Sequence, residues 1–246
     1  MTLPRTFGAA AASFILSSAL LVGCAPAKPD KAFGDKVRAY LLENPEVLLE
    51  VSAKLEQKQA AKAAAQGRAA LGQFRQAIER DPRDFVANPG GAITVTEFFD
   101  YRCGYCKQAT PEIIKLIAEN PDVRFVFKDF VIFGHDSEAA ARLFLGARDQ
   151  GKSIALHKAM MAEKSLDEAS ALRIAAGLGL DVAKARAIGA SAATTQHLAD
   201  TRGLAQSLAI EGTPAFIVGD QIIPGADMNA LNLAIAQVRV AQAKKG

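Results

Sequence analysis

The sequence predicts an α/β domain: a four-stranded sheet laid down as β-α-β, interrupted by a helical block and completed as β-β-α, behind an N-terminal helical arm. Three observations carry this expectation. Residues 92–99 (Ala-Ile-Thr-Val-Thr-Glu-Phe-Phe) are a β-branched and aromatic run following Pro89-Gly90-Gly91, the pattern of a buried strand. A helical stretch over 107–119 is closed by Asn120-Pro121, and residues 123–127 (Val-Arg-Phe-Val-Phe) form a second such run. Near the end, Pro214-Ala215-Phe216-Ile217-Val218, the turn Gly219-Asp220 and Gln221-Ile222-Ile223 read as a hairpin, followed by an amphipathic helix over 228–244.

Between these parts, about 137–209 is helix-forming almost throughout. His135-Asp136-Ser137 offers capping residues, Leu166-Asp167 and Asp181 begin further helices, and Gly177-Leu178-Gly179 separates them. The arm covers 32–82. Val37, Tyr40 and Leu41 share a helical face, Asn44-Pro45 marks a break and restart, and Val47, Leu48, Val51 and Leu55 continue as a stripe. The stripe fades through an alanine-rich stretch, returns at Leu71, Phe74 and Ile78, and stops at Asp81-Pro82. Such an arm cannot bury its apolar face alone. It packs on the main domain, over 83–246, or meets copies of itself; self-association is the favoured expectation.

With 246 residues, half of them hydrophobic, the chain can build a sizeable core, and a net charge of +3 gives no reason to expect a nucleic-acid partner. The first 23 residues are set apart from the fold. Arg5 precedes an uncharged apolar run from Phe7 to Val22, the pattern of a secretory signal. Its end, Leu21-Val22-Gly23-Cys24, resembles a bacterial lipobox; an ordinary signal with a chance cysteine is the alternative. The resemblance implies cleavage before Cys24, diacylglyceryl modification of that thiol, a tether over 24–31 and a membrane anchor. Ala25 lacks the aspartate typical of inner-membrane retention, which points to the outer membrane.

Of three cysteines, lipidation would consume Cys24, leaving the pair in Cys103-Gly104-Tyr105-Cys106. In an exported protein this pair is more readily explained as reactive than as a staple. Cys103 sits where a strand gives way to a helix, and a helix N-terminus favours the thiolate. Half of a zinc site is the competing reading, but His135, His157 and His197 are scattered and no second cysteine pair exists. Copper handling is a further alternative, with the two thiolates joined by Met160 and Met161, near His157, as soft ligands; methionines on helices are more often core.

The segment from Glu97 to Cys106 resembles the active-site region of the DsbA-like branch of the thioredoxin superfamily. Gly212-Thr213-Pro214-Ala215 resembles that family's cis-proline loop, and the helical block after the β-α-β unit matches the same branch. The resemblance covers about residues 90–246. It implies a thioredoxin-like sheet with an inserted helical domain, Cys103 as attacking thiol, Cys106 as resolving thiol, and Thr213 and Pro214 lining a substrate groove. Without the resemblance, Pro214 reads better as a strand-start proline. Glu97 aligns with the family's buried acid, able to take protons from Cys106; a solvent-facing strand residue is its alternative, and Lys128 is a loosely aligned candidate to pair with it. No cofactor or metal is expected.

The Gly104-Tyr105 dipeptide and the segment from Val37 to Leu48 are similar to the ScsC-like (suppressor of copper sensitivity) proteins. This implies a periplasmic disulfide isomerase or reductase acting on unfolded or misdisulfided secreted proteins, served by a membrane redox partner and oligomeric through residues 32–80. A DsbA-type oxidase is the first alternative. A copper- or peptide-binding lipoprotein is the second.

Overall fold

The computed structural model describes residues 30–244, so the apolar leader and Cys24 lie outside the described residues. The chain divides into two compact units, residues 1–56 and 57–246.

The first unit contains α1 (Lys31–Glu43) and the start of α2 (Glu46–Glu79). Asp30 caps α1, its carboxylate accepting from the Ala32 N–H at 3.0 Å. Asn44 closes it, donating from both backbone and side chain to the Tyr40 carbonyl. Proline has no N–H to give to a preceding turn, and Pro45 falls immediately before the first residue of α2. No residue of α1 is buried, and Phe33, Val37, Tyr40, Leu48, Val51 and Leu55 are exposed.

The second unit is built on one sheet of order β1-β3-β2-β4-β5. Its strands are β1 (Phe85–Ala87), β2 (Ile93–Phe99), β3 (Val123–Asp129), β4 (Ala215–Val218) and β5 (Gln221–Pro224). The expected sheet had four strands. The fifth, β1, is three residues long, too short to show a period, and owes its conformation to antiparallel pairing with β3. β2 and β3 run parallel and are almost wholly buried, as continuous apolar runs covered on both faces should be.

One face packs Val95, Phe99, Phe125 and Phe127 against α3 (Gly104–Glu119), α4 (His135–Ala147), α5 (Ser153–Ala162) and α9 (Met228–Ala243). The opposite face packs Phe98, Ala215 and Ile217 against Leu71 and Ile78 of α2 and Leu204 and Leu208 at the end of α8 (Ala192–Ser207). Leu71 and Ile78, in the arm as read from sequence, are therefore core of the second unit. Between α5 and α8 stand α6 (Glu168–Gly177) and α7 (Val182–Gly189), with Asp167 and Asp181 as side-chain N-caps, as their sequence positions imply. α4 and α7 touch backbone to backbone: a Cβ on Gly146 would lie 2.0 Å from the Ala185 carbonyl oxygen, and one on Gly189 would lie 2.5 Å from that of Arg142.

Two expected helix starts are corrected. α3 begins at Gly104 rather than Lys107, because the reactive segment itself forms its first turn. α4 begins at His135 after Gly134, whose φ of 86° suits glycine, so Ser137 is not a cap; its hydroxyl is committed elsewhere, as described below.

Candidate active site

β2 ends at Phe99 and a short turn delivers Cys103 to the N-cap of α3. The turn is held by Asp100, which is 2% exposed. One of its carboxylate oxygens accepts from the Arg102 N–H at 2.7 Å and the Ser137 hydroxyl at 2.7 Å. The other accepts from the N–H groups of Ile132 at 2.8 Å and Phe133 at 3.2 Å. The Asp100 carbonyl accepts from the Cys103 N–H at 3.1 Å. One buried carboxylate thus ties the cysteine turn to the loop before α4, where Ile132 and Phe133 are exposed; Tyr105 of the cysteine motif is exposed as well. Sequence reasoning passed over Asp100. Its signal was a lone acid directly after an apolar strand.

Cys103 and Cys106 are free thiols, both buried. Across from them the Thr213–Pro214 bond is cis, and the Cys103 thiol donates to the Thr213 carbonyl at 3.1 Å. The Thr213 hydroxyl, buried and unpartnered among the described residues in this dithiol form, is a donor available to a Cys103 thiolate. The pair divides its labour by environment. A hydrogen bond from Cys106, together with Thr213 and the backbone N–H groups of Cys106 and Tyr105, outweighs burial and lowers Cys103 to about 5. Burial, then the bond to Cys103 and the charge of Glu97, push the Cys106 thiol far above the ordinary range. One sulfur is poised to attack while the other keeps its proton.

Glu97 is 1% exposed, opposite Phe127 of β3 and Phe216 of β4, with Oε2 unpartnered among the described residues. It does not face solvent. Burial, reinforced by the Cys103 charge, raises it to about 8. The structure corrects the pairing with Lys128. In register Lys128 lies opposite Phe98, so it leaves the other face of the sheet and forms an ion pair with Asp84 Oδ2 at 2.6 Å, while Asp84 Oδ1 lies 3.1 Å from His197 Nε2. The candidate soft ligands are core: Met160 and Met161 belong to the cluster around Phe144. His157 nearby is buried too, and burial lowers it to about 3. His157 Nδ1 lies 3.2 Å from the Tyr101 hydroxyl.

From Thr213 and Pro214 a groove of about 1090 Å³ continues past Ile210 and Ile222 to Leu71 and Gly67. It is roomy enough for an extended polypeptide segment.

A depressed thiolate at a helix N-terminus, a protonated partner one turn on, a facing cis-proline loop and a buried acid together define a thiol–disulfide oxidoreductase. Comparison with known proteins agrees. Residues 94–235 match the DSBA-like thioredoxin domain and residues 31–62 match the copper resistance protein ScsC N-terminal domain, and the chain belongs to the DsbA-like thioredoxin family. Among solved structures it is similar to a thioredoxin-like oxidoreductase from Silicibacter pomeroyi DSS-3, with 39% identity, covering 67% of this chain and 97% of that one, at a TM-score of 0.64. It is also similar to a linker-deletion mutant of Proteus mirabilis ScsC (27%, 89% and 100%, TM-score 0.66) and to BcfH of Salmonella enterica Typhimurium (30%, 83% and 93%, TM-score 0.70). A Na(+)/H(+) antiporter, NhaA 3 of Salinispora tropica, shares 32% identity over 170 residues, 63% of this chain. The chain spans about a quarter of the length of the curated relatives it matches. Among the described residues no helix is long and apolar enough to cross a membrane.

Proposed function

We propose that the protein is a periplasmic disulfide isomerase or reductase, with Cys103 attacking substrate disulfides and Cys106 resolving the mixed disulfide. The observation that carries the reading is the Cys103 sulfur, whose thiol is lowered to about 5 and which lies 3.1 Å from the carbonyl oxygen of Thr213, a residue lining the groove. A thiol ionised at neutral pH attacks readily and also leaves readily, which suits reversible exchange. Thr213 and Pro214 line the substrate site, and the Thr213 backbone pairs with an extended substrate as an added strand. Glu97 receives the Cys106 proton.

The exposed stripe of α1 and early α2 serves self-association, arraying several dithiols around one misfolded substrate. Cys24 anchors the assembly to the outer membrane, and a membrane redox partner keeps the dithiol reduced. The ScsC N-terminal match over residues 31–62 supports the arm's role. A DsbA-type oxidase uses the same site and differs in the direction of electron flow.

Reactivation of ribonuclease carrying scrambled disulfides tests this reading, comparing residues 25–246 with a form beginning at Gln57. That form retains Leu71 and Ile78, which the second unit needs for its core. Isomerase activity in the long form, lost in the short form together with oligomeric mass, is the expected result. Oxidation of reduced ribonuclease by both forms without isomerisation establishes the oxidase instead. Silence in both assays removes the exchange function altogether.

A further inference from the structure

The sheet face that carries Glu97 holds a second acid that the exchange reaction has not yet used. β2 and β3 are parallel, with Glu97 opposite Phe127 and Phe99 opposite Asp129. Residues two apart on a strand share a face, so Asp129 stands diagonally from Glu97, on the side packed by Phe99, Phe127 and Tyr101. Both acids are closed off from water, at 1% and 2% exposure. Neither Asp129 oxygen, nor Glu97 Oε2, has a hydrogen-bond partner among the described residues. Lys128 is committed to Asp84 on the opposite face.

The titratable groups facing Asp129 from the elements around it are Glu97 of β2, Asp100 and Tyr101 of the cysteine turn, Asp84 before β1, and Lys128 of its own strand. Behind Tyr101 lies His157 of α5, with Nε2 also unpartnered among the described residues. Burial, then Asp84, Asp100 and Glu97, hold the Asp129 carboxyl well above the usual carboxylate range. Cys106, fully buried, feels the Glu97 charge.

Two carboxyl groups in one dry compartment, with Lys128 across the sheet paired to Asp84 and no cation on their own side among the described residues, resist double ionisation and titrate as a pair rather than as independent acids. We propose that Asp129 is a positioning residue that shares with Glu97 the proton Cys106 surrenders when it closes the disulfide. The inference rests on Cys106 being the resolving thiol. In the mixed disulfide, the pair holds one proton. The Cys106 thiol passes its proton to the remaining carboxylate, and its sulfur attacks Cys103 Sγ. The Cys103–Cys106 bond forms as the bond from Cys103 to the substrate sulfur breaks. Cys106 sulfur is oxidised, the substrate sulfur is reduced and leaves as a thiolate with the bonding pair, and the carboxyl pair retains both protons. With Asp129 protonated, the compartment holds a single negative charge on Glu97 before transfer, in a place from which solvent is excluded.

The test is stopped-flow reaction of the full chain in dithiol form with Ellman's reagent between pH 5 and 10. The first equivalent of thionitrobenzoate reports attack by Cys103, and the second reports resolution by Cys106. In the wild-type protein the second rate rises with pH in two coupled steps. In Asp129→Asn one step disappears and resolution at pH 7 slows about tenfold or more, the low side of what a positioned proton acceptor contributes, while the first phase is unchanged. Glu97→Gln removes the other step. An Asp129→Asn profile that superimposes on wild type, or is displaced by one constant factor at every pH, overturns the inference. Absence of a second equivalent from the wild-type protein overturns the resolving role of Cys106 and this inference with it. Should Asp129→Asn fail to fold, carboxyl ¹³C shifts of the wild-type dithiol protein decide: shared double inflections for Asp129 and Glu97 sustain the pair, and single independent ones overturn it.

Discussion

Replacing Lys128 with methionine separates stability from chemistry at this site. The Lys128 ammonium and the Asp84 carboxylate meet at 2.6 Å with side chains 1% and 0% exposed, and His197 touches the other Asp84 oxygen at 3.1 Å. Methionine keeps most of the lysine stem's volume, so little cavity forms and the loss is electrostatic. Removing one member of a buried pair strands the other and costs about 3–5 kcal/mol. At about 2–4 °C per kcal/mol for a unit of this size, Lys128→Met should melt about 6–20 °C below wild type. The double variant Lys128→Met with Asp84→Leu should recover part of that, because neither member of the pair is left stranded, while His197 loses its Asp84 contact. Urea unfolding of the reduced protein, followed by circular dichroism, measures both. Because Lys128 lies across the sheet from Glu97, the pH dependence of Cys103 alkylation should be unchanged in the folded variant. A destabilisation below about 1 kcal/mol, or a displaced alkylation profile, would refute the assignment of Lys128 to Asp84.

At pH 7, Cys103 depressed to about 5 is about 99% thiolate, so iodoacetamide at pH 6 should modify Cys103 and spare Cys106, as peptide mapping would reveal. Glu97, raised from 4.5 to about 8 in the folded chain, binds its proton more tightly folded than unfolded. Its burial therefore costs stability progressively as pH rises from 4.5 to 8, and Glu97→Gln should leave the urea midpoint near wild type at pH 4 but raise it by about 3–5 kcal/mol equivalent at pH 9. Asp100→Ala deprives the Ile132 and Phe133 N–H groups of their acceptor. We expect a loss of about 1–3 kcal/mol in urea unfolding, with amide exchange accelerated at these two residues before the sheet is affected.

Much of the fold was legible because its signals are local. Long apolar runs name β2 and β3, side-chain caps start α6 and α7, and the Gly219-Asp220 turn places β4 beside β5. What escaped depends on pairing. β1 has no period of its own and exists through Phe127, Val126 and Phe125 opposite it. Lys128 and Asp129 are neighbours in sequence that leave the sheet on opposite faces. Which one stands near Glu97 follows from the alignment of β2 with β3, and strand alignment is set by packing rather than by residue type. For the cysteines the local argument sufficed, since a helix start and two intervening residues place the sulfurs. The buried acids beneath them needed the register. Asp100 needed the loop before α4, over 30 residues away, to be seen folded back onto its carboxylate.

The sheet's two borders carry a further consequence. On one side β1 is three residues long; on the other β5 is four, and its last residue is Pro224, which has no N–H to offer. A border strand this short cannot template a long incoming chain. Under the proposed function the enzyme would be offered strands seeking a partner, and a long, flat border would gather them into aggregates. Truncated margins offer such chains little backbone to pair with, so contact with a client then falls to the loop facing the cysteines, where a bond can be exchanged.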